Sequence, residues 1–320
     1  MLSLGLDTSC YTTSAALCAP GQEPIQARRL LPVPAGERGL RQSEAVFAHV
    51  RQLSQVLPLL LSQAQEPIAC VCASASPRDG EDSYMPVFQV GVSQGMALAA
   101  ALRVPFFTTT HQRGHIAAAK YGTGLTGRRF VALHLSGGTT DMLLSDGDSL
   151  TPLGASVDLH AGQLVDRVGV RLGLPFPAGP HLEALALLGE NQNRVPVSFE
   201  KDGLRCHLSG AEAQLMRMIE AGEPRENVAA EVYGVLCRTV LRLAQSAADV
   251  SNAKEVLIAG GVASSRLLRT MLLERNDRRR AGLTLYFGRP EFSGDNAVGV
   301  ALIGLERRAK GESHGTQEGI

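Results

Sequence analysis

The run Thr110-His111-Gln112-Arg113-Gly114-His115 carries two histidines four residues apart. On a helix, residues i and i+4 stack on adjacent turns of one face. Two imidazoles so placed can hold one divalent cation and leave coordination positions open for oxygen ligands. Taken alone, the spacing fits an ordinary helix with one buried and one solvated histidine better. Its company shifts the balance: two Gly-Gly turns, Gly137-Gly138 and Gly260-Gly261, and a late Asp295-Asn296. Gly137 and Gly138 would let the backbone approach a phosphate closely, although a tight hairpin turn explains a Gly-Gly pair equally well. The segment from Glu255 to Ser265 reads as strand, glycine pair and helix N-terminus, an arrangement that receives a nucleotide.

Several elements must position these groups. Leu2 to Leu6 alternates like a strand, Asp7-Thr8-Ser9 follows, and Thr13 to Cys18 resumes an apolar strand. A hydroxyl-rich turn between strands offers donors to an anion; a plain hairpin is the simpler reading of this segment. Gly21, Pro24, Pro32, Pro34, Gly36 and Gly39 mark a loop-rich insertion. A helix is expected from Ser43 to Ala64, a buried strand from Ile68 to Ala73, and a polar loop over residues 76–84 of the kind that borders active sites. Val90 to Leu102 reads as a small-residue helix and Val104 to Phe107 as a strand, leading to Thr110 as N-cap of the histidine helix. After Gly122, Gly124 and Gly127 the opening is repeated: strand Phe130 to Leu135, turn Ser136 to Asp141, strand Met142 to Leu144. Helices follow over 157–172, 211–219 and 227–250, with a polar loop at 189–210 between the first two. A strand at Leu283 to Phe287 precedes Glu291 to Ala297, read as the start of the last helix. Strand, hydroxyl turn and strand occurring twice predict a pseudo-duplicated α/β protein with a cleft between its halves. The expected lobes are 1–127, carrying the histidines, and 128–310, carrying the nucleotide turns, with a disordered tail at 311–320.

Composition narrows the function classes. The chain has 320 residues, 44% hydrophobic and 19% charged, enough for two cores of about 150 residues each. Lys+Arg and Asp+Glu both number 31, so a nucleic-acid partner would need a local patch rather than bulk charge. Arg128-Arg129, Arg278-Arg279-Arg280 and Arg307-Arg308 are either such patches or solvated faces. With no Trp and 4% aromatics, stacking on single-stranded nucleic acid is poorly supported. Cys10, Cys18, Cys70, Cys72, Cys206 and Cys237 form no C-x-x-C and read as small buried thiols in a reducing cytosol. No apolar stretch has membrane-spanning length and the N-terminus opens on a strand-like run, so a soluble cytoplasmic protein without membrane attachment is expected.

Taken in order, these residues resemble the tRNA N6-adenosine threonylcarbamoyltransferase family (TsaD type, formerly classed with the glycoproteases), of the actin/hexokinase/Hsp70-like (ASKHA) superfamily. The resemblance covers roughly residues 1–308. It rests on Gly5-Leu6-Asp7-Thr8-Ser9-Cys10, His111 to His115, Ser136-Gly137-Gly138, Asp166 with Pro177-Ala178-Gly179-Pro180, Leu208-Ser209-Gly210, Gly260-Gly261-Val262, and Arg289-Pro290-Glu291-Phe292 with Asp295-Asn296. It implies an ASKHA fold of two duplicated α/β lobes with an interlobe nucleotide cleft. It further implies that His111, His115 and Asp295 hold one metal, iron or zinc, as suits a catalytic ion with open positions. The nucleotide ligand would be threonylcarbamoyl-AMP, or ATP or AMP. Ser136, Gly137 and Gly138 would lie near the reactive group, Asp166 and Gly179 on the ribose or adenine side, and Gly260, Gly261 and Ser265 at the nucleotide. The activity implied is an acyltransferase reaction: threonylcarbamoyl moves to N6 of the adenosine beside the anticodon of ANN-reading tRNAs, releasing AMP. Implied partners are tRNA, threonylcarbamoylation proteins of the TsaB/TsaE type, and a paralogue as dimer mate.

The chain also departs from the family pattern. Tyr11-Thr12 replace an Asp-Glu pair after the opening cysteine, and Thr139 replaces a histidine after the Gly-Gly turn. An Ala-Gly-Pro-Gly loop becomes the ionic Ser76-Pro77-Arg78-Asp79-Gly80, Leu159 breaks an Asp-Asp pair that begins with Asp158, and Ser265 stands for an Asn. Two readings follow: a threonylcarbamoyl transferase acting on tRNA, or a diverged relative that binds metal and nucleotide but serves another acceptor or a regulatory or scaffolding role. A metalloprotease is disfavoured because Gln112 stands where a zinc protease carries its glutamate base.

Overall fold

The computed structural model describes residues 1–9, 12–32, 40–80, 83–279 and 282–312. Contacts divide the chain into two units: Met1–Tyr121 together with the segment from Gly294 onward, and Gly122–Ser293. The first unit opens with strands β1 (Leu2–Ser9), β2 (Thr12–Cys18) and β3 (Ile25–Leu30), then helix α1 (Gln42–Leu61), β4 (Ile68–Ser76), α2 (Phe88–Leu102), β5 (Phe106–Thr110) and α3 (His111–Lys120). Its sheet runs β3-β2-β1-β4-β5, antiparallel across the first three strands and parallel from β1 to β5. Every residue of β1 and β2 is buried, as expected of strands covered on both faces. Leu4 and Leu6 face the core made with Leu53, Leu57, Leu60, Val90 and Ala99.

The second unit contains β6 (Arg129–Leu135), β7 (Thr140–Asp146), β8 (Ser149–Ser156), α4 (Ala161–Arg171), α5 (Gly179–Ala186), β9 (Ser198–Phe199), β10 (Arg205–His207), α6 (Ser209–Glu220), α7 (Arg225–Ser251), β11 (Glu255–Ala259), α8 (Arg266–Arg279) and β12 (Thr284–Phe287). Its sheet order is β12-β11-β6-β7-β8-β10-β9. Read from β8 to β12, the first five positions repeat the order and the strand directions of the first unit. The duplication expected from two strand–turn–strand segments is therefore visible in the topology. The core of this unit gathers around α7, where Tyr233 and Leu236 are among the fully buried side chains. The last helix, α9 (Val298–Ala309), packs on β1, β2 and β4 of the first unit.

Some expectations shift. The division falls at 121/122 rather than 127, and the chain returns to the first unit at Gly294 instead of staying in the second lobe to residue 310. The reason is α9, whose apolar face lies against β1, β2 and β4. Strand β3 lies inside the segment read as a loop-rich insertion; it is half-exposed and polar along an edge, so it carries little apolar signal. Strands β9 and β10 likewise sit in the polar 189–210 segment. Helix α4 begins at Ala161 rather than Val157, because Asp158 turns away to accept the Leu208 N–H at 2.8 Å and the Ser209 hydroxyl. The last helix begins at Val298; Pro290–Phe292 is a separate 3-10 turn and Asp295 lies between the two. Five cysteines (Cys18, Cys70, Cys72, Cys206, Cys237) are buried and free, and burial pushes the Cys18 and Cys72 thiols up to about 12. The readings at Cys10, Tyr11, Pro34, Gly36, Gly39, Glu81, Asp82, Arg280 and the tail from residue 313 lie outside the described residues.

Helices α3 and α9 cross with their backbones almost touching. A Cβ added to Gly299 would lie 1.8 Å from the carbonyl oxygen of Gly114. Gly299→Ala must therefore spread the two helices, and overpacking of this kind destabilises by about 1–3 kcal/mol. Gly210→Ala, where nothing lies within 4 Å of the added carbon, should leave stability unchanged or slightly raised. Urea unfolding of both variants checks the contrast.

Candidate metal centre

Strand β5 delivers the chain directly into α3. Thr110 caps the helix through its hydroxyl, which accepts the Arg113 N–H at 3.3 Å. The first residue of the helix is His111, and one turn later His115 faces the same way: their Nε2 atoms are 2.9 Å apart and the rings meet edge to face. Asp295 reaches both. Its Oδ1 lies 3.3 Å from His115 Nε2 and 3.6 Å from His111 Nε2, while its Oδ2 accepts the Thr12 hydroxyl at 3.3 Å. All three side chains belong to the first unit. Ligand atoms about 2.0–2.2 Å from a common ion at tetrahedral or octahedral angles are about 2.8–3.6 Å apart. The observed separations lie close to that spacing, and two imidazoles with one carboxylate form a donor set suited to zinc or iron. The side chains of His111, His115 and Asp295 keep 19%, 12% and 33% of their surface exposed, so one side of the centre is open.

Asp7 holds the arrangement from behind. It follows the apolar part of β1 and its carboxylate is fully enclosed. His111 Nδ1 lies 2.8 Å from Asp7 Oδ2. A carboxylate can only accept, so Nδ1 carries the proton and Nε2 points at the common centre. Ser9 and Ser74 donate their hydroxyls to the same carboxylate. Burial by itself would lower the His111 pKa; the charges of Asp7 and Asp295 outweigh it and raise the value to about 10. For Asp295 burial works upward, and hydrogen bonds from His111 and His115 override it, holding the carboxyl well below the usual range. The ionic loop before α2 clamps α3 from the outside. Arg113 makes a two-pronged contact with Asp79 at 2.9 and 2.7 Å, and Pro77 accepts the Gln112 N–H at 3.0 Å.

The residues expected to meet a nucleotide all lie in the second unit. Ser136 closes the turn after β6 by accepting the Gly138 and Thr139 N–H groups at 3.3 and 3.1 Å. Nothing lies within 4 Å of the Cβ positions of Gly137 or Gly138. Strands β6 and β11 are adjacent, so the Gly260-Gly261 turn sits beside the Ser136 turn; Gly260 has φ +96° and packs against the Leu135 carbonyl. Asp166 accepts the Ala178 N–H at 2.8 Å, fixing the segment that leads to Gly179. The Ser265 hydroxyl caps α8 by accepting the Leu268 N–H at 3.1 Å, so one lone pair is committed to the helix. In the arginine runs read as patches, Arg128 pairs with Asp148, Arg129 with Asp146, Arg278 with Glu274 and Arg307 with Glu312.

The family model described as tRNA N6-adenosine threonylcarbamoyltransferase matches residues 41–302. The chain belongs to this family. A tRNA N6-adenosine threonylcarbamoyltransferase of Aromatoleum aromaticum is 31% identical, with 98% of this chain and 94% of the relative covered. One of Methanopyrus kandleri is 28% identical, covering 95% and 87%. Among solved structures, HypF of T. kodakarensis matches with a TM-score of 0.64 at 15% identity, over 96% of this chain and 48% of that one. A ROK family glucokinase from Streptomyces griseus matches with a TM-score of 0.56 at 13% identity, over 96% and 100%. These likenesses establish the actin/hexokinase-like fold. Within this threonylcarbamoyltransferase-family chain, Asp7 and Thr12 are contacts of the centre that residue spacing did not reveal. The sequence signals for both came from the family resemblance alone, Asp7 within the motif Gly5 to Cys10 and Thr12 as the replacement of an acid, and neither assigned them to the centre.

Asp7→Asn removes the charge and turns one of the two accepting oxygens into an NH2 donor, so the carboxylate that fixes the His111 tautomer is lost, and loss of such a supporting group lowers metal affinity by about 10- to 100-fold. Competition against a colorimetric zinc chelator measures this. Because the His111 pKa is raised, a cation must displace its proton. Zinc affinity of the wild-type protein should therefore climb with pH from neutrality to about 10, and the climb should level off earlier in Asp7→Asn.

Proposed function

We propose that this chain transfers a threonylcarbamoyl group from threonylcarbamoyl-AMP to N6 of the adenosine beside the anticodon of ANN-reading tRNAs, with a divalent metal at His111, His115 and Asp295. The observation that carries the reading is the convergence of those three ligand atoms in a chain of this family. In the reaction the exocyclic amine attacks the carbamoyl carbon, the bond from that carbon to the phosphate oxygen breaks, AMP departs and the amine loses a proton. A divalent cation held by these side chains would draw electron density from the carbonyl or from the departing phosphate. Asp7 orients His111, and Thr12 holds Asp295 so that Oδ1 faces the histidines. An adenine amine is a weak nucleophile, so positioning supplies much of the acceleration. In the second unit, the open faces of Gly137 and Gly138, the neighbouring Gly260-Gly261 turn and the Asp166-braced Gly179 segment are suited to receive the adenylate. tRNA and proteins of the TsaB/TsaE type would be partners, and a paralogue a dimer mate.

A second reading is favoured by one observation. Thr12 and Thr139 stand where the family pattern has charged or titratable side chains, and their hydroxyls are engaged with Asp295 and with Ser136 and His134. A centre altered there would serve a different acceptor while keeping metal and nucleotide.

The deciding experiment is rescue of a strain depleted of its tRNA modifier, with nucleoside analysis of the tRNA. Restored threonylcarbamoyladenosine supports transfer to tRNA; growth without it, or neither, supports the second reading. His111→Ala with His115→Ala should contain no bound metal by elemental analysis where the wild type holds about one equivalent, and full occupancy in the double variant would end the metal assignment. AMP or a non-hydrolysable ATP analogue at millimolar concentration should raise the melting temperature by linkage.

A further inference from the structure

Arg28 is an exposed arginine on the edge strand β3. It pairs with Ser14 on β2, and Ser14 pairs with Asp7 on β1, so the three residues form one row on one face of the sheet. Directly opposed residues share a face, and this is the face where Asp7 meets His111 and Thr12 meets Asp295. Arg28 Nη1 comes within 3.4 Å of the Cβ position of Gly294, the residue before Asp295. Among the described residues the guanidinium makes no hydrogen bond or ion pair. The two carboxylates of the centre are engaged by other groups, Asp7 by His111, Ser9 and Ser74, and Asp295 by the histidines and Thr12. Its donors are exposed beside Gly294, the residue that precedes Asp295, where an incoming ligand can meet them.

Charge counting points the same way. A divalent ion beside the carboxylates of Asp7 and Asp295, with neutral imidazoles, gives a centre of no net charge. Arg28 adds one positive charge on its rim and leaves planar paired donors of the kind that match carboxylate and phosphate oxygens. The open side of the centre is the side to which a ligand must come.

Resting on the reading that His111, His115 and Asp295 hold a cation, we propose that Arg28 is the anion receptor of this centre. It binds a carboxylate or phosphate of the substrate while another oxygen of the same group faces the metal. Arg28 is thus a specificity-determining residue that selects an anionic ligand and sets its orientation. A glycine at 294 keeps the guanidinium free to move towards the incoming group, since a side chain there would stand in its path.

Cobalt(II)-loaded protein reports both components, because its visible bands shift when an anion enters the coordination sphere. Wild type, Arg28→Ala and Arg28→Lys are titrated with inorganic phosphate and, separately, with acetate, after their cobalt content is measured. The expected result is equal cobalt in all three and a half-effect concentration raised about tenfold or more in Arg28→Ala, with Arg28→Lys between, as befits loss of a charge-assisted two-pronged contact. The anion with the larger Arg28-dependent effect identifies the group bound, phosphate or carboxylate. Equal half-effect concentrations in wild type and Arg28→Ala, or no band shift in the wild type, would overturn the role of Arg28 while leaving the metal reading intact. Failure of the wild type to take up cobalt would overturn both. Should Arg28→Ala lose its fold, Arg28→Gln carries the same expectation.

Discussion

Helix α9 lies close against α3 because Gly299 lacks a side chain where they cross. Gly299 faces the carbonyl of Gly114 at a distance that no other residue allows, and Gly114 sits between His111 and His115. A bulkier pair would hold the helices at the usual separation of about 8–10 Å and carry Asp295 away from the imidazoles. The same packing draws α9 onto β1, β2 and β4 and so assigns the last segment of the chain to the first unit. One close contact thus links the division of the chain to the geometry of the candidate metal ligands.

Behind the ligands the site is supported by strands. Asp7, Ser9 and Thr12 come from the ends of β1 and β2, and Ser74 from β4. Buried polar groups of this kind are tolerated because each has a partner: the Asp7 carboxylate receives two hydroxyls and an imidazole N–H. The enclosed acid then holds His111 in one tautomer and one orientation. On the other side of α3 the Arg113–Asp79 contact fixes the helix to the loop before α2. The ionic replacement of a small-residue loop has a structural role here, since it restrains the helix that bears both histidines.

In the second unit the same strand order frames a different kind of surface. The Ser136 and Gly260 turns end adjacent strands, and Gly137, Gly138 and Gly261 present backbone with open space before them. Asp166 is braced against Ala178, and buried Glu231 accepts the N–H groups of Gln192 and Arg194 at 2.8 and 3.2 Å. Carboxylates in this unit are used to fix loops through backbone N–H groups, a role that residue type alone does not distinguish from ligand binding.

Much of this was written in local pattern. Apolar periodicity placed α1, α2, α7 and the buried strands β1, β2, β4, β6 and β11, because each buries a continuous face. The repeated strand–turn–strand segments announced the duplication, and the H-x-x-x-H spacing put two imidazoles on one helix face, since helical geometry alone decides that. Strands β3, β8, β9 and β10 escaped notice because their half-exposed, polar residues lack a period that local sequence can show. Only tertiary structure decided the rest: that Asp295 stands with the histidines in one unit, that Asp7 lies behind His111, and that Arg28 shares their face of the sheet. Those residues are separated by up to 288 positions in the chain, as between Asp7 and Asp295. Their meeting depends on strand register and on how closely two helices can pack, which no local spacing encodes.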